Sequence, residues 1–117
     1  MNIKFEAQAD QVYCIEPQGR LDAVTVPALE AVLDQHLAAK HARLVVDMSG
    51  VAYLSSSGLR ALLRARKGAQ AAGGDVVLCN MTPRVREVFE MIGFTSLFRV
   101  FAAVPEAVAS FSGRTAA

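Results

Sequence analysis

Asp47-Met48-Ser49-Gly50-Val51-Ala52-Tyr53-Leu54-Ser55-Ser56-Ser57-Gly58-Leu59-Arg60 joins a buried strand to an amphipathic helix through a hydroxyl-rich turn. Before the turn, Arg43-Leu44-Val45-Val46-Asp47-Met48 is a nearly continuous apolar run that ends in an acid, which suits a central strand covered on both faces. After it, Leu59, Leu62 and Leu63 recur at helical spacing from a start at Ser56 or Ser57, and Gly73-Gly74 stops the helix near Ala72. Arg60, Arg64 and Lys67 make a basic stripe on its outer face, and Arg66 is expected to snorkel at the apolar edge. The start of this helix leaves backbone N–H groups free and carries the positive end of its dipole, so it is pre-arranged to hold an anion. Function is expected there.

Working outward, Ile3, Phe5 and Ala7 alternate with Lys4, Glu6 and Gln8, the pattern of a half-buried strand. A short turn at Ala9-Asp10-Gln11 makes Val12–Glu16 its antiparallel partner, and Pro17-Gln18-Gly19 stops or bulges that strand before Arg20-Leu21-Asp22. Thr25 is read as the cap of a helix that has Pro27 in its first turn and runs to about Lys40, with Leu29, Val32, Leu33 and Leu37 inward. His36 and His41 have no partner by spacing that makes either a base or a ligand.

Downstream, Asp75–Cys79 is another buried strand, and Thr82-Pro83 starts a helix with Val85, Val88, Phe89 and Ile92 inward and Gly93 at its end. A short strand around Phe98–Phe101 and a helix opened by Val104-Pro105-Glu106 complete the chain. The order β-β-α-β-α-β-α-β-α makes this an α/β fold, a mixed sheet with helices packed against it.

The 117 residues fit one domain, expected over 1–112 with a frayed tail at 113–117. With 53% hydrophobic and 20% charged residues the chain is globular rather than disordered, and its net charge of +1 gives no general attraction to nucleic acid or an anionic membrane. No apolar run approaches the roughly 20 residues that cross a bilayer, and the start lacks a signal-peptide core. The expected location is the cytoplasm, where Cys14 and Cys79 are read as reduced, buried side chains rather than a disulfide or metal site.

Enzyme signatures are absent: there is no P-loop, no dinucleotide-binding glycine pattern, no paired H-x-x-x-H and no C-x-x-C. Nothing calls for a cofactor or a metal. Asp47 ends a strand as the acceptor of a phospho-receiver domain does, but the acidic pair and the lysine of that chemistry are not in place. Three hydroxyls at one helix start exceed what capping needs, since one serine supplies about 1 kcal/mol. Two readings of Ser55, Ser56 and Ser57 stay open at this point: a helix cap alone, and an exposed recognition turn where phosphate can be added.

The stretch from Val46 to Arg60 resembles the signature of STAS domains, in particular the stand-alone anti-sigma factor antagonists of bacteria. Gly19-Arg20-Leu21-Asp22 is similar to the family's Gly-x-Leu-Asp, and Val77–Val85 with Phe89–Phe94 resembles its later strand and helix. Matched to the family pattern Asp-Ser-[Ser/Thr/Ala]-Gly-Leu, Ser56 takes the phosphoacceptor position, with Ser57 and Ser55 ranked behind it. The departure is Ser55, which stands where the pattern has aspartate.

The resemblance implies partner switching. The unmodified domain binds an anti-sigma factor that is itself a serine kinase, phosphorylation breaks the complex, and a serine phosphatase restores it. Asp22, Ser55, Ser57, Gly58 and Arg60 are the expected partner-binding residues. Two other readings stay open: a non-phosphorylated STAS interaction module of a transporter or a stressosome-like assembly, and a small hydrolase using Ser56. Neighbouring genes separate the first two, and a histidine beside Ser56 is needed for the third. The sequence leaves the oligomeric state open.

Overall fold

The computed structural model describes residues 2–91, 93 and 97–115. Ile92, expected on the inward face of the third helix, and Phe94, expected just past its end at Gly93, lie outside them. The chain folds as β1 (Asn2–Ala7), a single helical turn (Ala9–Gln11), β2 (Val12–Leu21), α1 (Val26–Ala38), β3 (Arg43–Asp47), β4 (Val51–Leu54), α2 (Ser56–Ala71), β5 (Asp75–Cys79), α3 (Pro83–Met91), β6 (Val100–Phe101) and α4 (Val104–Thr115). The mixed α/β architecture expected from the sequence is present, with one more strand. α4 runs to Thr115, so residues 113–115 expected in the tail continue the helix.

The sheet order is β1-β2-β3-β5-β6, with β4 against β2. β1 pairs with β2 antiparallel, and all other pairings are parallel. β2 does not stop at Pro17. It continues to Leu21, giving its first half to β3 and Gly19–Leu21 to β4. Pro17 is tolerated because it lies in the stretch between those two pairings. The extra strand β4 was read as part of the serine turn. It is four residues long, and its exposed pair Ala52 and Tyr53 breaks the alternation that marks a strand in sequence.

The sheet is buried on both faces. Leu44, Val46, Val76 and Leu78 face a large core closed by α1, α2 and α3 through Leu29, Leu33, Leu59, Leu62, Val85 and Phe89. Val45, Val77, Cys14 and Cys79 face a smaller core closed by Ala107 and Phe111 of α4. This explains why β3 and β5 read as unbroken apolar runs. Burying each such leucine contributes about 1.5–3 kcal/mol. Both cysteines are free; burial first, then Asp47, Glu16 and Glu6, pushes the Cys14 thiol up to about 11, and burial, then Asp47 and Cys14, pushes the Cys79 thiol up to about 12.

Two local expectations change. Arg66 does not snorkel: its Nε lies 3.0 Å from the buried Asp75 carboxylate, whose other oxygen is 3.2 Å from Arg99 Nε. Burial of one acid between two strands draws the arginine inward. Thr25 caps nothing through its side chain, because its hydroxyl donates to Arg20 O instead.

Candidate functional site

The serine turn sits where β4 ends and α2 begins, beside the end of β2. Ser55 N–H donates to Leu21 O at 2.9 Å, which locks the turn to the neighbouring strand. Ser55 is the cap residue of α2: its backbone is extended, and its Oγ accepts the Gly58 N–H at 3.3 Å. The Ser55 and Ser57 hydroxyls lie 2.8 Å apart, and both side chains are half-buried. Ser56, the first residue of the helix, is exposed, and its hydroxyl has no hydrogen-bond partner among the described residues. The N–H groups of Ser56 and Ser57 are likewise unpaired among the described residues, as the first turn of a helix dictates.

Gly58 is buried beneath the turn. A Cβ there lies 2.7 Å from Leu54 Cδ1 and 3.4 Å from Leu21 Cβ, so the glycine lets α2 approach the two strands closely. This residue, expected to bind the partner, supports the surface from below. Arg60 is exposed one turn after Ser56 and forms no ion pair among the described residues. Arg64, next along the basic stripe, is tied to Glu30 at 3.0 Å and Asp34 at 3.9 Å across the α1–α2 groove. The mouth of that groove, about 440 Å³, is lined by Ser57, Arg60 and Pro27 among others.

Asp22 stands on the adjacent turn between β2 and α1. Its Oδ1 accepts from Val24 N–H at 3.1 Å and Thr25 N–H at 3.3 Å, and Oδ2 lies 3.6 Å from Arg20 Nε. Desolvation pushes its carboxyl up, but the Thr25 and Val24 bonds and the Arg20 charge outweigh that and hold its pKa below the usual carboxylate value. Asp22 thus shapes its own turn while one edge of the carboxylate stays open. Arg20 stacks over the Tyr53 ring at 4.3 Å, and Val24 projects beyond them, 87% exposed. Tyr53 and Val24 were not singled out in the sequence.

No catalytic partner reaches Ser56 among the described residues. The two histidines lie at the far end of α1, Nδ1 to Nδ1 at 3.1 Å, packed on Tyr13 and Phe5. Spacing had left them without partners; the fold makes each the other's. Asp47 is 8% exposed and occupied, its Oδ1 accepting from Ser49 N–H at 3.0 Å and Asn80 Nδ2 at 3.2 Å. It ties the turn after β3 to the end of β5.

Residues 6–107 match the family model described as STAS domain. The chain belongs to the STAS family. Among STAS relatives, BtrV of Bordetella bronchiseptica, named for an anti-sigma factor antagonist role, is 38% identical over 94 residues, covering 80% of this chain and 81% of its own. The anti-sigma-B factor antagonist of Staphylococcus aureus is 28% identical over 101 residues, covering 86% of this chain and 94% of its own. The STAS fold is shared with the Bacillus anti-sigma factor antagonist SpoIIAA. In its unphosphorylated form that protein superposes with a TM-score of 0.73 at 20% identity over 95% of this chain and 97% of its own. Its phosphorylated form gives 0.70 at 19%, over 95% and 99%. No helix among the described residues is long and apolar enough to cross a membrane.

Proposed function

We propose that this STAS domain is an anti-sigma factor antagonist that works by partner switching. Unmodified, it binds a serine-kinase anti-sigma factor through the face around the start of α2; phosphorylated on Ser56, it lets go; a serine phosphatase resets it. The observation that carries this reading is the division of labour among the three serines. Ser55 and Ser57 spend their hydroxyls on each other and on the cap, whereas Ser56 is exposed and has no hydrogen-bond partner among the described residues. The names of the Bordetella and Staphylococcus relatives support the antagonist role, and the existence of a phosphorylated form of SpoIIAA supports the modification.

The physical consequence follows from position. Phosphate on Ser56 adds about −1.5 to −2 charges at a helix start, where free N–H groups and the helix dipole stabilise it. α2 therefore survives modification. A docking partner instead meets a dianion in the middle of the contact, with the cost of desolvating it and the repulsion of any acid opposite. Arg60, free of ion pairs among the described residues, is the cation within reach of either the phosphate or the partner.

The test is incubation with ATP and a serine-kinase anti-sigma factor from the same organism, followed by peptide mapping. A single increment of about 80 Da on Ser56 is expected. Phosphate at another residue rejects the site. Binding without any phosphate transfer favours the non-phosphorylated interaction module instead.

A further inference from the structure

β1 is an edge strand whose inner side pairs with β2 and whose outer side has no strand beside it among the described residues. Such an edge offers unpaired N–H and C=O groups as a template for another chain, and soluble proteins usually blunt it with proline, bulges or uncompensated charge. β1 carries no proline, and its register with β2 is unbroken from Asn2 to Ala7. Phe5, at its centre, is 61% exposed, although its ring meets His36 edge-on at 5.3 Å. Lys4 and Glu6, on the opposite face of the strand, are exposed and form no ion pair among the described residues.

The segment Ile3-Lys4-Phe5-Glu6-Ala7 is self-complementary about Phe5. Paired antiparallel with a second copy, Phe5 stands opposite the partner's Phe5, Lys4 opposite the partner's Glu6, and Glu6 opposite the partner's Lys4. We propose that β1 is the interface of a two-fold homodimer in which two copies of this chain join edge to edge into one continuous sheet. The pairing buries the exposed phenylalanine on the helix side. On the other side it sets Lys4 and Glu6 each against an opposite charge of the partner, in addition to the Glu16 of β2 that Lys4 already faces in its own chain. A cavity of about 190 Å³ lined by Phe5, His36, His41, Gln35 and Ala39 lies beside the Phe5 ring, where the incoming phenylalanine arrives.

Being isologous, the contact closes at two chains. The opposite edge, β6, is only two residues long and offers no second template of this kind. A six-residue edge makes a small interface, so the dimer is reversible and its population rises with concentration. The serine turn is at the other end of β2 from the Val12 start, and the dimer leaves it open for a partner.

Sedimentation velocity of the full chain across a concentration series tests this. Wild type is expected to shift from monomer to dimer. K4E and E6K, each of which sets like charges opposite one another twice, are expected to raise the dimer dissociation constant about tenfold or more. The double variant K4E/E6K restores opposite charges and the wild-type constant, and an equimolar mixture of K4E with E6K forms a heterodimer. All three variants change exposed sites, so circular dichroism is unchanged. A monomer at every concentration overturns the proposal. So does a dimer indifferent to K4E, or one that the double swap fails to restore. Because Ser56 is untouched, failure here leaves the phosphorylation reading standing, and the reverse holds too.

Discussion

The Ser55 and Ser57 hydroxyls are 2.8 Å apart, and this bond turns a run of three chemically identical side chains into three different ones. Ser55 and Ser57 are half-buried and mutually satisfied. Ser56, between them, points away with its hydroxyl free among the described residues. A kinase that needs an accessible hydroxyl therefore meets one serine, not three.

Replacing Ser56 separates shape from charge. Ser56→Ala removes an exposed hydroxyl with no partner among the described residues, so stability is expected to stay within about 0.5 kcal/mol and anti-sigma factor affinity within a few-fold. Ser56→Asp places a carboxylate in the docking face and is expected to weaken binding about 100-fold, a cost of roughly 2.8 kcal/mol. Calorimetric titration reads both. Equal affinities for the two variants would remove charge as the basis of release.

Ser55 stands where the resembled motif has aspartate, and the structure gives that position a structural task. Its Oγ caps α2 by accepting the Gly58 N–H. Serine and aspartate both cap well, so the exchange keeps the cap and drops only the charge. Ser55→Ala is expected to cost about 1 kcal/mol in urea unfolding. Ser55→Asp is expected to hold or raise stability, by up to about 1 kcal/mol, because a carboxylate at a helix start is favoured by the dipole. Destabilisation by Ser55→Asp comparable to that of Ser55→Ala contradicts the capping role.

Asp75, 4% exposed, lies between Arg66 and Arg99 and also accepts the Val76 N–H at 2.8 Å. It fastens α2 to the entry into β6 through one side chain, and Arg66 adds a bond to Leu97 O. Asp75→Asn leaves two guanidinium groups facing each other without a counter-charge. Breaking a buried pair costs about 3–5 kcal/mol, and since both arginines keep partial water contact a loss of about 3 kcal/mol is expected. The change is read as a lowered urea midpoint at unchanged slope. A loss below about 1 kcal/mol means that the arginines find water instead.

The fold was legible because β3 and β5 are covered on both faces and announce it as unbroken apolar runs, while α1 and α2 carry leucines at helical spacing. β4 escaped because strand assignment from sequence needs alternation over several residues, and Val51-Ala52-Tyr53-Leu54 instead shows two exposed residues side by side. The reach of β2 to Leu21 escaped for a related reason. Pro17 reads as a breaker unless the third dimension reveals that β3 ends and β4 begins on either side of it. At the site, the position of Ser56 came from pattern, but what separates it from Ser55 and Ser57 is hydrogen bonding, which composition does not encode. The His36–His41 contact depends on how the chain turns after α1, where Lys40 takes a positive φ of 66°.

That histidine pair makes stability depend on pH with a definite sign. Burial first, then the neighbouring His41 charge, pushes the His36 pKa below its ordinary value of 6.5. Phe5, Tyr13 and His41 surround the ring, and no carboxylate among the described residues pairs with it. The Nδ1–Nδ1 contact of 3.1 Å holds one proton, and protonating both rings sets two N–H groups against each other. The unfolded chain takes up its proton near 6.5, whereas the folded chain resists until a lower pH. The contribution of neutral His36 is therefore fully present above pH 6.5 and declines as pH falls toward the folded value, because the unfolded state then binds more protons. Urea midpoints are expected to drop as pH falls below about 6.5, a range in which ordinary carboxylates at first stay ionised. His36→Phe, similar in size and without a titrating nitrogen, is expected to flatten that slope. An equally steep slope in His36→Phe would assign the pH dependence to another group.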